Sequence, residues 1–322
     1  MPTRVSWLIP VRDAAPWLGA AARSALAECG PDDELVVVDD ASTDHPGEVL
    51  PRDPRVRLLP AKGRGLVAAL ETGRAACRGD YVARLDGDDE ALPGRLDAQL
   101  AILESHPEVG AVGGRAEPIE PYGEGMRRDV ERINGIEDLH AEILVEAPLF
   151  HPATTLRASA LAAVGGWREL DGPEDYDLWL RLADAGWSLR AVAQPVVRLR
   201  DRPDRLTRTD PRYRRAAFLP LKQSFLSSRL GRTVAVWGGG HTSRPWLSWL
   251  ETQPVTVVAV YDVFGGSTRR GVPRFPREAV VDGRFDTLIV AVGARGARGE
   301  IRAMLAAWRP DLVEGKDWWA VA

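Results

Sequence analysis

The sequence predicts an α/β protein: a doubly wound, mostly parallel sheet, followed by a smaller Rossmann-like α/β domain. Three observations carry that expectation. Short apolar runs alternate with helix-like stretches between Val5 and Leu85, each run stops at an acidic or glycine-containing turn, and a second strand-helix series begins at Gly231. At 322 residues the chain is long enough for two domains, each with its own core, and we place them at residues 1–230 and 231–322.

The elements follow in order. Val5 to Val11 (VSWLIPV) is a continuous apolar run, as a strand buried on both faces would be. Pro16 at a helix start introduces an Ala-rich helix that Gly30-Pro31 stops. Glu34 to Val38 is a second strand, ending in Asp39, Asp40, Ala41, Ser42, Thr43 and Asp44. Val56 to Leu59 is a third, followed by a Lys-Gly-Arg-Gly turn and a helix through Cys77, and Tyr81 to Leu85 is a fourth. The fourth runs straight into Asp86, Gly87, Asp88 and Asp89.

Composition narrows the function classes. A formal net charge of −4 argues against a general nucleic-acid binder. Cys29 and Cys77 alone give neither a disulfide framework nor a zinc spacing, so reduced thiols and a cytoplasmic setting are the simplest expectation. The sequence shows no signal-peptide pattern and no transmembrane span. The Arg-rich stretch from Arg198 to Arg215, beside Trp and Phe residues, leaves peripheral membrane contact as an expectation, against the plainer one of solvated surface.

In open α/β sheets ligands bind beyond the carboxyl ends of the strands. Asp39 and Asp40, the basic turn at Lys62 and Arg64, and the Asp86 to Asp89 cluster all fall at such ends and should converge on one rim. Acids for a ribose or base, cations for phosphates and a divalent cation, Mn or Mg, between them would suit a nucleotide. Each element has an ordinary alternative: turn and cap chemistry for Asp39 to Asp44, solvation for Lys62 and Arg64, an acidic turn for Asp86 to Asp89. Arg84 shares a strand face with Val82 and Asp86 and should pair with a carboxylate.

The succession VSWLIPVRD, LVVVDDASTD, GLVAALETG, GDYVARLDGDD and PGRLDAQL resembles family 2 glycosyltransferases of the GT-A fold. The likeness continues through HPATTLR, GGW and PEDYDLWLRLADAG and covers about the first 230 residues. It implies transfer of a sugar from a nucleotide-sugar donor to a hydroxyl acceptor (a glycan, a lipid carrier or a small molecule), with inversion. By motif match, Pro10, Arg12, Asp40 and Asp39 would line the nucleoside pocket. Asp86 and Asp88 would be the acids of the family's DxD motif, with Asp88 a metal ligand. Arg12 departs from the Asn that many members carry there. The family's base maps onto Asp175.

The helix pattern agrees with that assignment. With Pro173 at the first helical position, Asp175, Leu178, Trp179 and Leu182 share one face, expected to point inward. Glu174, Asp177 and Arg181 fall on the other side, where Asp177 and Arg181 are spaced for an ion pair and Glu174 would cap the helix dipole. His151 is either a late metal or diphosphate contact or a hydrogen-bonded interior histidine. Trp167 and Trp187 are candidates for an acceptor cleft or for the core, and the polar Glu117 to Arg132 stretch is expected to be a loop.

Arg212 to Arg229 should be a helix leading into the second domain, in which Thr233 to Trp237 and Val255 to Tyr261 should be strands, Phe285 to Val292 another strand and Glu300 to Trp308 a helix. Gly238 and Gly240 begin a GxGxxG pattern whose third glycine is Ser243, with Asp262 where a ribose-binding acid would lie. A second nucleotide site and a degenerate module used for packing or homodimer formation are equally open here. Two rival functions stand beside glycosyl transfer: a nicotinamide-dependent oxidoreductase of nucleotide sugars, weakened by the lack of a Tyr-x-x-x-Lys pair in the C-terminal half, and a non-catalytic nucleotide-sugar sensor.

Overall fold

A computed structural model describes residues 4–322. The chain folds into two compact units, the first running to Leu139 and again from Ala147 to Ala217, the second taking His140–Glu146 and Phe218–Ala322.

In the first unit the elements are β1 (Val5–Val11), α1 (Ala15–Glu28), β2 (Glu34–Asp39), β3 (Val56–Pro60), α2 (Leu66–Ala76), β4 (Tyr81–Arg84), β5 (Glu90–Ala91), α3 (Arg95–Ser105), β6 (Val109–Ile119) and α4 (Glu124–Asn134). After α5 (Leu139–Glu142), which crosses the division, come β7 (Thr155–Arg157), α6 (Ala158–Ala163), α7 (Glu174–Asp184), β8 (Ser188–Arg200) and α8 (Leu206–Thr209). The eight strands form one sheet in the order β3-β2-β1-β4-β7-β6-β8-β5. β3, β2, β1 and β4 are parallel, β7 runs against both β4 and β6, and β6 pairs in parallel with β8. The carboxyl ends of β1, β2, β4, β6 and β8 therefore share one rim. Every residue of β1 is buried, which is why its sequence reads as an unbroken apolar run.

The stretch expected to be a loop, Glu117 to Arg132, is instead the end of β6 and most of α4. α4 turns only Met126 and Val130 inward and is charged elsewhere, with Arg127 bonding Glu124 and Glu131 along its exposed side.

The second unit holds most of α9 (Arg215–Ser227), then β9 (Thr233–Trp237), α10 (Arg244–Leu250), β10 (Thr256–Asp262), β11 (Gly266–Arg269), β12 (Val272–Pro276), β13 (Thr287–Val290), α11 (Ala297–Trp308) and β14 (Trp318–Ala320). Its sheet order is β11-β12-β10-β9-β13-β14, parallel except for β11, with the order reversing at β9 as in a Rossmann-like sheet. His140–Glu146 belongs here through Glu142, which Arg302 contacts at 2.7 Å, and through Val145, whose carbonyl accepts from Lys222 at 2.7 Å. Among the described residues no helix is long and apolar enough to cross a membrane.

Candidate active site

The register of the parallel strands builds the rim. Val11 lies opposite Asp39, and Leu8 opposite Arg84, so the turns after β1, β2 and β4 open side by side. Asp40 is buried: both carboxylate oxygens accept from the Gly65 N–H, at 2.9 and 3.0 Å, and Arg12 lies 3.5 Å away. Gly65 has φ of +92°, a conformation that suits glycine and aims this N–H at Asp40. The Lys62 and Arg64 side chains beside it are exposed. Asp39 accepts from the Ser42 N–H at 2.9 Å, which is turn chemistry. Pro10 is buried, and its carbonyl lies close beneath Gly87, where a Cβ would come within 3.5 Å of it and 3.3 Å of Val11.

Beyond β4, Asp86, Asp88 and Asp89 each bring a carboxylate oxygen within 4.8 Å of the others. Arg84, almost wholly buried, pairs with Asp86 as expected. Burial works to raise the Asp86 carboxyl, and the Arg84 guanidinium outweighs it, holding that acid below the usual carboxylate range. Asp88 and Asp89 move the other way: burial first, then the neighbouring acids, push both upward. Asp89 accepts from the Arg200 N–H at 2.8 Å through one oxygen, while the other is buried with no hydrogen-bond partner. Three converging carboxylates, two of them resisting ionisation and one oxygen unpartnered, fit a hard divalent cation.

Arg95, buried in α3, braces this turn by donating to the Arg84 carbonyl at 2.7 Å and the Pro152 carbonyl at 2.9 Å. Its guanidinium stands over the Trp7 ring, 4.8 Å from the centroid, and burial followed by the Arg84 charge lowers its pKa to about 9. Arg202, on the segment after β8, lies 3.4 Å from Asp88 and over the Trp17 ring at 4.2 Å. An open cleft of about 290 Å³ beside it is lined by Trp17, Ile119, Pro121, Arg200 and Asp204.

α7 differs from its expected orientation. Pro173 is the N-cap and the helix starts at Glu174, and both flanks are buried, so Glu174 and Asp177 are interior rather than solvated. Asp177 takes the expected ion pair with Arg181 at 2.7 Å and a second with Arg168. Glu174 turns inward, accepting from the Tyr213 hydroxyl at 2.6 Å and lying 3.6 Å from His151 Nδ1. Burial opposes its charge, and the His151 and Tyr213 contacts prevail, so Glu174 sits below its ordinary pKa. Asp175 is half-buried. Burial, then the Glu174 charge, raise its carboxyl to about 7 against the weaker opposing pull of Arg84. Arg84 thus faces both the acid cluster and the first turn of α7.

His151 has both ring nitrogens engaged. The Trp167 indole N–H donates to Nε2 at 3.1 Å, so in the neutral ring the proton is on Nδ1, facing Glu174. Burial and the Arg84 charge lower its pKa and keep it neutral. Neither nitrogen is left for a cation or a diphosphate, and the interior-histidine reading is the one the geometry fits. Trp167 is spent on this contact and is 2% exposed, which fits the core reading for it, while Trp187 is half-buried with its Cβ against Gly110. Tyr213 had no local signal in the sequence; its partner lies 39 residues away.

The Arg198 to Arg215 run is largely paired. Arg198 meets Glu117, Arg200 meets Glu90, Arg208 meets Asp201, and Arg212 meets Asp210. These pairs tie part of the run's charge to nearby acids, as a solvated surface would. In the second unit Asp262 is held by Arg274, a Cβ on Gly239 would fall 2.3 Å from the Asp262 carboxylate, and Gly238 presses against the Ala291 carbonyl. The Gly240 carbonyl accepts from Arg269 at 3.0 Å. A ribose at Asp262 would first have to displace Arg274.

Residues 6–165 match the model of "Glycosyl transferase family 2". The amylovoran biosynthesis glycosyltransferase AmsE of Erwinia amylovora is 30% identical over 139 residues, covering 43% of this chain and 52% of that protein. The putative glycosyltransferase EpsE of Bacillus subtilis is 28% identical over 220 residues, 65% of this chain and 77% of that one. The chain thus spans about half the length of the first relative and over three-quarters of the second. The crystal structure of S. aureus TarS 1-349 in complex with UDP-GlcNAc superposes with a TM-score of 0.52 at 14% identity, over 69% of this chain and 65% of that one, a likeness of fold. Strand order, the acid cluster after β4 and the family match agree, and α7 lies beyond the matched residues: this chain belongs to glycosyl transferase family 2.

Proposed function

We propose that the protein moves a sugar from a nucleoside-diphosphate sugar to a hydroxyl acceptor with inversion at the anomeric carbon, in a reaction that depends on a divalent cation. The observation that carries this reading is the convergence of Asp86, Asp88 and Asp89 after β4, with the half-buried Asp175, its carboxyl raised to about 7, within reach of the charge of Arg84, which pairs with Asp86.

Asp86, Asp88 and Asp89 would hold the cation, Mn or Mg. When bound, it would neutralise charge developing on the departing diphosphate. Pro10, Arg12 and Asp40 would take the nucleoside, with Lys62 and Arg64 on the adjacent turn; Asp39 contributes by shaping its own turn. Asp175 would accept the acceptor's hydroxyl proton as that oxygen bonds to the anomeric carbon and the carbon–oxygen bond to the diphosphate breaks. A positioned base of this kind is worth about a hundredfold to ten-thousandfold in rate. TarS was crystallised with UDP-GlcNAc, which makes uridine diphosphate sugars the first donors to try.

Because the acceptor is unidentified, water can serve as one. Proton NMR of the first sugar released from an α-linked uridine diphosphate sugar, with Mn²⁺, should show the β anomer before mutarotation. Release of the α anomer would overturn the inverting reading.

A further inference from the structure

Four side chains form a line through the interior that passes through Glu174, the residue next to the proposed base. The Trp167 indole donates to His151, the His151 Nδ1 faces Glu174, and Glu174 accepts from the Tyr213 hydroxyl at 2.6 Å. They come from distant parts of the chain: the turn before β7, the turn before α7, the first turn of α7 itself, and the short 3-10 turn after α8. Glu174 is 2% exposed, and neither of its partners is a cation, His151 being neutral. A buried carboxylate so placed is costly, and the His151 ring and the Tyr213 hydroxyl are the groups that offset its burial. Glu174 immediately precedes Asp175 in the first turn of α7.

We propose that Tyr213 is a positioning residue for glycosyl transfer: by donating to Glu174 it holds the first turn of α7, and with it Asp175, in the orientation the base needs. This rests on reading Asp175 as the base. The charged and titratable groups facing the Glu174–Asp175 pair are Arg84 from β4, His151 from the turn before β7, and Tyr213. Tyr213 is itself kept protonated by burial and by the charges of Glu174 and Asp175, so it acts as a donor at every working pH.

Two acids this close titrate as a pair. The doubly ionised pair is the active form, and the Tyr213 hydroxyl stabilises it. Tyr213→Phe removes that donor, so the pair gains its first proton at a higher pH. Glu174→Gln keeps an acceptor for Tyr213 and removes the neighbouring charge, so Asp175 holds its own charge down to a lower pH. The two substitutions should therefore displace the acidic limb of the rate profile in opposite directions.

The experiment measures kcat and KM for donor hydrolysis, with Mn²⁺ and a uridine diphosphate sugar, from pH 5 to 9 in the full chain and in Tyr213→Phe, Glu174→Gln and Asp175→Asn. The expected result for Tyr213→Phe is kcat lowered about tenfold, donor KM within twofold of the parent, and an acidic limb shifted upward by about half a unit or more. Glu174→Gln should shift the limb downward. Limbs coincident with the parent's in both variants, with Asp175→Asn inactive, would overturn the role of Tyr213 and leave the base standing. Turnover in Asp175→Asn comparable to the parent's would instead overturn the base, and this inference with it.

Discussion

Replacing Asp175 by Asn tests stability and chemistry at once, and the two should move apart. A carboxyl raised from 3.8 to about 7 by burial and by Glu174 corresponds to about 4 kcal/mol at about 1.36 kcal/mol per pKa unit. Asp175 keeps an open edge and shares its shift with Glu174, so about half of that, ~2 kcal/mol, is the better expectation. Because the folded-state pKa lies above the unfolded one, the folded protein holds the proton more tightly. The stability this contributes is fully present below pH 3.8 and is lost as pH rises through 7. Asn carries no such penalty. With chelator present, Asp175→Asn should therefore melt about 4–8 °C above the parent at pH 8 and close to it at pH 4, on a scale of about 2–4 °C per kcal/mol for a unit this size. Over the same range its donor hydrolysis should fall by at least a hundredfold. A melting difference independent of pH, or turnover within tenfold of the parent, would refute the assignment of Asp175 as a charged, half-buried base.

Three further substitutions probe the rim and the core beneath it. Asp88→Ala should remove cation-dependent donor binding, read by calorimetry of uridine or guanosine diphosphate in Mn²⁺; unchanged affinity would count against the acid cluster as the cation site. Asp40→Ala should cost about 1–3 kcal/mol of stability by leaving the Gly65 N–H without its acceptor, measured by urea unfolding, and should also weaken nucleoside binding. Gly73→Ala places a Cβ 2.1 Å from Leu8 and 3.1 Å from Val38, both fully buried, and should lower stability by about 1–3 kcal/mol with little change in cation binding.

Much of the first unit can be read from the chain because its parallel strands are buried on both faces. Val5 to Val11 and Glu34 to Val38 are unbroken apolar runs, and the acids that follow them mark the rim. α4 hid because a surface helix with two inward residues and charge elsewhere has the composition of a loop. On α7 the periodicity argument failed for a different reason. It assumes that one face meets solvent, whereas Tyr176, Leu178, Trp179, Leu180 and Leu182 are all buried, so the polar face had to find interior partners. Glu174 found His151 and Tyr213, and Asp177 found Arg168 and Arg181. Arg95 and Tyr213 act on groups distant in sequence, and no local pattern marks a contact of that kind. The glycine turn after β9 was readable as a Rossmann-like feature, but the Arg274 that closes on Asp262 comes from β12 and alters what the motif can accept.

Cation-dependent binding of a nucleotide sugar is the measurement that bears most directly on the proposed site. The full chain would be melted with a panel of uridine and guanosine diphosphate sugars, in Mn²⁺ and in chelator, beside Asp88→Ala. One donor at a hundred times its Kd should stabilise the parent by about 2.7 kcal/mol in Mn²⁺, and the shift should vanish in chelator and in the variant. A shift of equal size in all three conditions, or none with any donor, would contradict the assignment of Asp86, Asp88 and Asp89 as the centre of the site.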